Sequence, residues 1–409
     1  VLTRRGWLLA GGSIVLTVAG RLLGLAELFA LAAAALVLAG AALAYVRLTT
    51  YKLEATRELR PPRVHAGTAS RVELTVRNLA FRRSPVLAAR DPFDNGRRWA
   101  RLLLAPLAPG ETARAAYRLP TDRRGVFDLG PLQLQLADPF GLAQSSTDAA
   151  ARTKLTVYPH IDDVAPLPLS QGNDPHAGAA RHNAISQSGE DFYGLRDYQE
   201  GDDLRRVHWG ATAKLDELMI RQEEMPWQGR ATVLLDLRKG VHTPESLEIA
   251  VSAAASIVSA CYKRRSLVRL LATDGVDSGF AAGHAHVEAV LEHLAGATLE
   301  RGAHLAPFLA RLRRQGNGGA LSVVTTAAAS NADLDGVARL RGRFGVLSLV
   351  LIERSAFERT APGRVVTPRP LPPLDMVARI GVGKPFPVAW SEALETATGP
   401  ARALPGARR

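Results

Sequence analysis

Two uncharged apolar runs near the start of the chain set the tightest limit on what it folds into. Residues 7–20, WLLAGGSIVLTVAG, and residues 28–46, rich in Leu, Ala and Val, contain no charged side chain. Neither run has a polar face to turn towards water, which argues against a soluble helical hairpin. A bilayer core takes about 20 apolar helical residues, fewer where flanking Arg side chains reach back to the interface. The spacing therefore predicts two membrane spans joined by a tight turn over residues 21–27. Arg4 and Arg5 precede the first run, and Arg47, Lys52, Arg57 and Arg60 follow the second. Positive charge on one side places both outer ends in the cytoplasm. The expected location is the inner (plasma) membrane, multi-pass, with soluble domains facing the cytoplasm. Thr3-Arg4-Arg5-Gly6-Trp7-Leu8 also has the form of a twin-arginine export signal. A second apolar run follows at once, which argues against a cleaved leader.

The 409 residues have room for two or three domains. A formal charge of +12 suits an acidic partner, either a phospholipid surface or nucleic acid. No helix-turn-helix, zinc finger or base-stacking sheet is recognisable, so nucleic acid is not the expected partner. Cys261 is the only cysteine and cannot form an internal disulfide.

From residue 52 to about 158 the texture is short and alternating. Residues 71–78 and 132–136 alternate polar and apolar with period two, and Pro61-Pro62, Pro109-Gly110 and Gly130-Pro131 punctuate the runs. This pattern predicts a small antiparallel β-sandwich. Residues 162–187 carry Pro, Gly, Asn and His without periodicity and read as a connector that wraps the next domain. His160, His176 and His182 fit no common zinc spacing, and no cysteine assists them.

Residues 188–224 are the densest polar stretch. Asp191, Arg196, Asp197, Glu200, Asp202, Asp203, Arg205, Arg206, His208 and Lys214 crowd around Phe192, Tyr193, Leu195, Tyr198 and Trp209. So many aromatics have no use on a merely solvated face. The expected picture is a packed polar surface of charge-assisted bonds over an aromatic base, with Trp209 in the core. Gly201-Asp202-Asp203 also suits a turn into a short helix, with Asp202 as the N-cap. Asp191 with His208 is the one pairing suggestive of acid–base chemistry, and no Ser or Cys is spaced to join it. The chain is accordingly not expected to be an enzyme.

Beyond residue 231 the chain alternates strands and helices. Residues 231–235 form an apolar strand ending at Asp236, and Thr243-Pro244-Glu245 opens a helix with Thr243 as N-cap. Ile249, Ala253, Ile257 and Cys261 recur on one helical face, which packs Cys261 away. Residues 267–272, 320–325 and 346–352 supply further strands, residues 285–294 a helix, 377–382 an edge strand and 390–396 a short helix. A parallel, doubly wound sheet is the consequence. The expected organisation is a transmembrane hairpin (1–50), a β-sandwich (51–160), a linker (161–187), the polar segment (188–230), an α/β domain (231–396) and a basic tail (397–409).

The polar segment resembles the bacterial "domain of unknown function 58" family. The matching elements are Asp191-Phe192, Leu195-Arg196-Asp197-Tyr198, Gly201-Asp202-Asp203-Leu204-Arg205, Trp209 and Thr212-Ala213-Lys214, with Lys214 where the family more often has Arg. Residues 124–131 and Asp138-Pro139-Phe140-Gly141-Leu142 resemble the same family's preceding stretch. The α/β domain in turn resembles a von Willebrand factor A domain. There a divalent metal needs Asp-x-Ser-x-Ser after the first strand, whereas this loop reads Asp236-Leu237-Arg238-Lys239-Gly240. Both hydroxyls are gone and Arg238 brings a guanidinium, so the site near Asp236 is read as degenerate, with no metal and no cofactor. Thr273-Asp274-Gly275 resembles the distal Asp motif of such sites but follows the second strand. The resemblance implies a membrane-anchored, non-enzymatic adaptor paired with a MoxR-type AAA+ ATPase in assembly or remodelling of other proteins. Two alternatives stand beside it: a metal-dependent ligand-binding or hydrolytic domain at the sheet edge near Asp236, and nucleic-acid or anionic-lipid binding through basic surface.

Overall fold

The computed structural model describes residues 1–168, 192–197, 207–215, 217–223, 229–315, 318–357 and 370–398. The chain divides into two compact units, Val1–Tyr158 and Pro159–Arg409.

Unit one begins with helices α1 (Arg4–Leu23) and α2 (Ala26–Leu48), each long and apolar enough to cross a membrane. Thr3 caps α1, its hydroxyl accepting from the Gly6 amide, and Gly24 ends it at a φ of 67°. The helices touch where Gly20 meets Phe29, since a Cβ on Gly20 would lie 3.1 Å from the Phe29 ring.

Ten strands follow: β1 (Leu53–Arg60), β2 (Arg63–His65), β3 (Ser70–Asn78), β4 (Leu87–Phe93), β5 (Arg98–Leu104), β6 (Thr112–Leu119), β7 (Gly125–Leu129), β8 (Leu132–Ala137), β9 (Gln144–Ala150) and β10 (Thr153–Tyr158). They form sheets ordered β1-β3-β6, β2-β10-β7 and β5-β4-β8-β9. All pairings are antiparallel except β2 with β10. Period-two patterning sends alternate residues inward, so Val72, Leu74 and Val76 of β3 meet Leu132, Leu134 and Leu136 of β8 in one core.

A charged cluster sits inside this unit. Arg57 lies 2.6 Å from Asp91, and both side chains are 1% exposed. The Tyr117 hydroxyl donates to the second Asp91 oxygen at 2.8 Å, and Arg57 also reaches the Leu129 carbonyl and the Thr153 hydroxyl. A buried carboxylate is tolerated only when paired and hydrogen-bonded, and here both conditions hold. Arg57 therefore leaves the flanking positive charge counted from sequence; Arg4, Arg5, Arg47 and Lys52 remain exposed.

Unit two opens with β11 (Phe192–Asp197), helix α3 (Trp209–Leu215) and β12 (Met219–Glu223), with β11 and β12 paired antiparallel. There follow β13 (Arg230–Leu235), α4 (Pro244–Lys263), β14 (Leu267–Ala272), α5 (His284–Gly296), α6 (Ala306–Gln315), β15 (Ala320–Thr326), α7 (Asn331–Ala338), β16 (Val346–Ile352), β17 (Met376–Ile380) and α8 (Phe386–Thr398). Five of these strands make a fully parallel sheet ordered β14-β13-β15-β16-β17, with β17 at the edge. Thr243 caps α4 in a reciprocal capping box with Ser246. Leu234, Leu271, Leu321, Leu347 and Leu349 share a cluster with Leu309 and Leu312 of α6 and with Leu334 and Val337 of α7. Cys261 is buried on α4, and burial pushes its thiol up to about 11, so it packs rather than reacts.

The first residues of unit two are strapped to its helices. Ser252 donates to the His160 carbonyl, the Asp162 amide donates to Ser256, and the buried Trp390 donates to the Ala165 carbonyl at 2.7 Å. The remainder of the expected connector, residues 169–187, lies outside the described residues, as do residues 399–409 of the expected basic tail, whose first two residues instead close α8.

Candidate functional site

Sheet growth fixes one location. The sheet starts at β13, places β14 on one side and β15 on the other, so the connections diverge at the carboxyl ends of β13 and β15. In doubly wound sheets this switch point is where ligands sit.

Asp236, immediately after β13, is 0% exposed there. One carboxylate oxygen accepts from the Arg238 amide at 3.1 Å and from Arg238 Nε at 2.9 Å. The other accepts from Arg238 Nη2 at 2.8 Å and from the Thr325 hydroxyl at 2.8 Å. Arg238 Nη1 extends to Asp333 at 3.1 Å. A single guanidinium thus bridges two carboxylates, with the bidentate fork on the buried one. Asp333 is itself fixed as the third residue of α7, where it accepts from the amide and hydroxyl of the N-cap Ser330. Burial is the largest influence on the Asp333 carboxyl and pushes it up, but Ser330 and Arg238 together outweigh it and hold the group below its ordinary value. Burial likewise works against Arg238, and its two carboxylate partners outweigh that to raise it.

This donor set does not fit a divalent metal. Mg²⁺ demands oxygen ligands in strict geometry. Here every Asp236 oxygen already accepts from nitrogen or hydroxyl donors, and a fixed cation occupies the space between the carboxylates. Asp333 was not legible as part of the site, because it lies 95 residues from Arg238 in sequence; its local signal was Ser330-x-x-Asp333 ahead of a helix.

The surroundings are structural. The Leu237 amide donates to Thr273, Thr326 donates to the Val241 carbonyl, and Arg354 donates to the Gly240 carbonyl. Asp274 turns to His293 at 3.1 Å and to the Val276 amide, away from Asp236. Burial pushes the Asp274 carboxyl up, and the His293 contact and the turn amide more than offset it. His242 is 2% exposed, with Nδ1 3.3 Å from Ser246 and Nε2 buried without a hydrogen-bond partner. Burial lowers its pKa to about 4, so it is a neutral core imidazole at pH 7.

The polar segment is placed only in part. Phe192 and Arg196 lie on β11, registered against Glu223 and Ile220 of β12. Asp191, Tyr198, Gly201, Asp202, Asp203 and Arg205 lie outside the described residues, and with them the expected Asp202 cap. His208 has a role that sequence reasoning missed: its Nδ1 accepts from the Ala211 amide at 3.0 Å and so caps α3. The His208 amide donates to the Met219 carbonyl, and the Met219 amide to Thr212, which ties α3 to β12. Trp209 overturns the expectation of a core residue: as the first residue of a seven-residue helix it is 70% exposed. Leu215 and Leu218 are also exposed, and Lys214 stands in the last turn.

Residues 194–366 match the family model described as "Protein of unknown function DUF58". No curated protein matches the chain. Among solved structures, the CARDB domain of a Pyrococcus furiosus protein aligns at 15% identity over 27% of this chain and 94% of its own, with a TM-score of 0.22. The putative ApaA protein of Bordetella pertussis aligns at 13% identity over 27% and 96% respectively, with a TM-score of 0.20.

Proposed function

We propose, from the match of residues 194–366 to the DUF58 family model, that the chain is a membrane-anchored, non-enzymatic adaptor that docks a MoxR-type AAA+ ATPase through the polar segment. The hairpin holds it in the inner membrane with both units on the cytoplasmic side, and the α/β unit is a von Willebrand factor A-like domain that has exchanged its metal for Arg238. The observation that carries this reading is Trp209, 70% exposed on a short helix tied to a strand pair. Exposed aromatics set beside positive charge are the anchors that protein interfaces favour. A tryptophan that neither fills a core nor caps a helix has its use outside the unit.

Affinity purification of the tagged chain from membranes in mild detergent, with mass spectrometry of what stays bound, tests the reading. An AAA+ ATPase should accompany the wild type and be lost with Trp209→Ala combined with Lys214→Ala. Recovery of the same ATPase with that variant would remove the docking surface from α3. Recovery of folded wild type alone would remove the adaptor reading.

A further inference from the structure

The membrane-proximal end of unit one carries more than the hairpin. The turn between β8 and β9 is wedged against the bases of both helices: the Thr3 amide and hydroxyl donate to the carbonyls of Leu142 and Gly141 at 2.8 and 2.7 Å. Leu142 and Ala143 share a cluster with Ala42 and Val46 of α2. A side chain on Gly6 would overlap the Leu142 carbonyl, so the contact is close and specific. The turn therefore sits level with Arg4, Arg5 and Arg47, and on it Phe140 is 63% exposed. Its form is fixed by the buried Asp138, which accepts from the amides of Phe140 and Ala143.

A second loop, residues 79–86, reaches the same end. The Leu79 amide donates to the Lys52 carbonyl, four residues beyond the end of α2, a distance of at most about 14 Å even when extended. The loop is held from within: Asn78 donates to the carbonyls of Arg82 and Leu107, and Ser84 accepts from the Leu107 amide. What this braced loop presents is Phe81, 99% exposed, followed by the exposed Arg82 and Arg83. A rigid loop with a fully bare phenylalanine forgoes about 1.5–3 kcal/mol of burial unless something covers it. Six exposed basic residues lie in the segments that make this end: Arg4, Arg5, Arg47, Lys52, Arg82 and Arg83. The carboxylates at this end are the buried Asp138, which is taken up by the turn amides, Glu54, which faces Arg77 across β1 and β3, and Glu111, which accepts from the Ala108 amide.

We propose that this end of the β-sheet unit is seated on an anionic phospholipid surface, with Phe81 and Phe140 in the interfacial layer and the six basic side chains on lipid phosphates. The inference rests on the hairpin spanning the bilayer. The interfacial layer is about 5–7 Å deep on each side, and aromatic rings favour it. Each basic residue near an anionic surface is worth roughly a fivefold factor. The hairpin then fixes where the unit is, and the rim fixes its orientation.

The test uses the full chain reconstituted in vesicles of phosphatidylcholine with and without phosphatidylglycerol. Cysteines replacing Phe81, Phe140 or Asp122 carry a polarity-sensitive fluorophore, with the wild type, whose Cys261 is buried, as the blank. Asp122 lies on the β6–β7 turn at the opposite end of β6. Labels at 81 and 140 should be quenched by lipid-borne nitroxide and shielded from aqueous iodide, with the reverse at 122. Arg82→Glu with Arg83→Glu should lower the seated population about tenfold or more. Resistance to carbonate washing, scored separately, reports the hairpin. Retained protein with iodide-accessible labels at 81 and 140 overturns the seating and leaves the spans standing. Lipid quenching indifferent to phosphatidylglycerol and to the charge reversal overturns the anionic-lipid assignment. Loss of the protein on carbonate washing overturns the spans, and the seating with them.

Discussion

Replacing Arg238 with alanine should damage the α/β unit more than replacing the carboxylate it neutralises. Asp236 is 0% exposed, and two of its four hydrogen bonds come from the guanidinium. Arg238→Ala leaves a buried anion with only the Thr325 hydroxyl and one backbone amide. Breaking a buried ion pair from one side costs about 3–5 kcal/mol, and the 13% exposure of the Arg238 side chain points to about 3. For a unit of this size each kcal/mol lowers the midpoint by about 2–4 °C, so the expected fall is about 6–12 °C. Asp236→Asn keeps an acceptor for Thr325 and leaves Arg238 with Asp333 and water; about 1–2 kcal/mol is expected. Denaturant unfolding of the detergent-solubilised chain, with hydrogen exchange read at the β13 and β15 amides, measures both. Equal costs for the two substitutions, or a loss under about 1 kcal/mol for Arg238→Ala, would refute the reasoning.

Four further expectations are shorter. His242, with a folded pKa of about 4 against about 6.5 unfolded, stabilises the fold fully above pH 6.5 and loses about 2 kcal/mol by pH 5; His242→Leu should flatten that part of the profile, and an unchanged slope would assign it elsewhere. In unit one, Tyr117→Phe strands an oxygen of the buried Asp91 and should cost about 1–3 kcal/mol by denaturant titration. Gly130→Ala should cost at least as much, because its Cβ would fall 2.5 Å from Arg57 Nη1 at a φ of 90°. Millimolar Mg²⁺ should leave the melting midpoint of the wild type in place, since ligands stabilise only what they bind; an upward shift would restore a metal to the Asp236 site.

What the sequence made legible follows from the range of the forces involved. Thr243, Pro244 and Ser246 act within one helical turn, so the start of α4 was readable to the residue. The apolar runs of β13 to β16 and the period-two runs of β3 and β8 were readable because a sheet imposes its periodicity locally. Arg57 misled for the opposite reason. Its charge looked like interfacial flank beside Arg47, and only the fold brings Asp91 and Tyr117 to it from 34 and 60 residues away in sequence. Trp209 misled because aromatic residues usually fill cores, and nothing in its neighbourhood signals that a seven-residue helix leaves it outside.

At the sheet's carboxyl edge, the same limit separates motif from mechanism. A doubly wound sheet offers its switch point as a ligand cleft, and where two carboxylates meet there a cation is what stabilises them side by side. In this chain the cation is covalently part of the loop. Arg238 is tethered two residues from Asp236 and donates to both of its oxygens. The edge is thus closed electrostatically and fixed in one arrangement, which suits a rigid scaffold better than a ligand-gated one. On the reading proposed above, what the unit offers a partner is then on its surface, where Trp209 is the most exposed aromatic among the described residues of unit two.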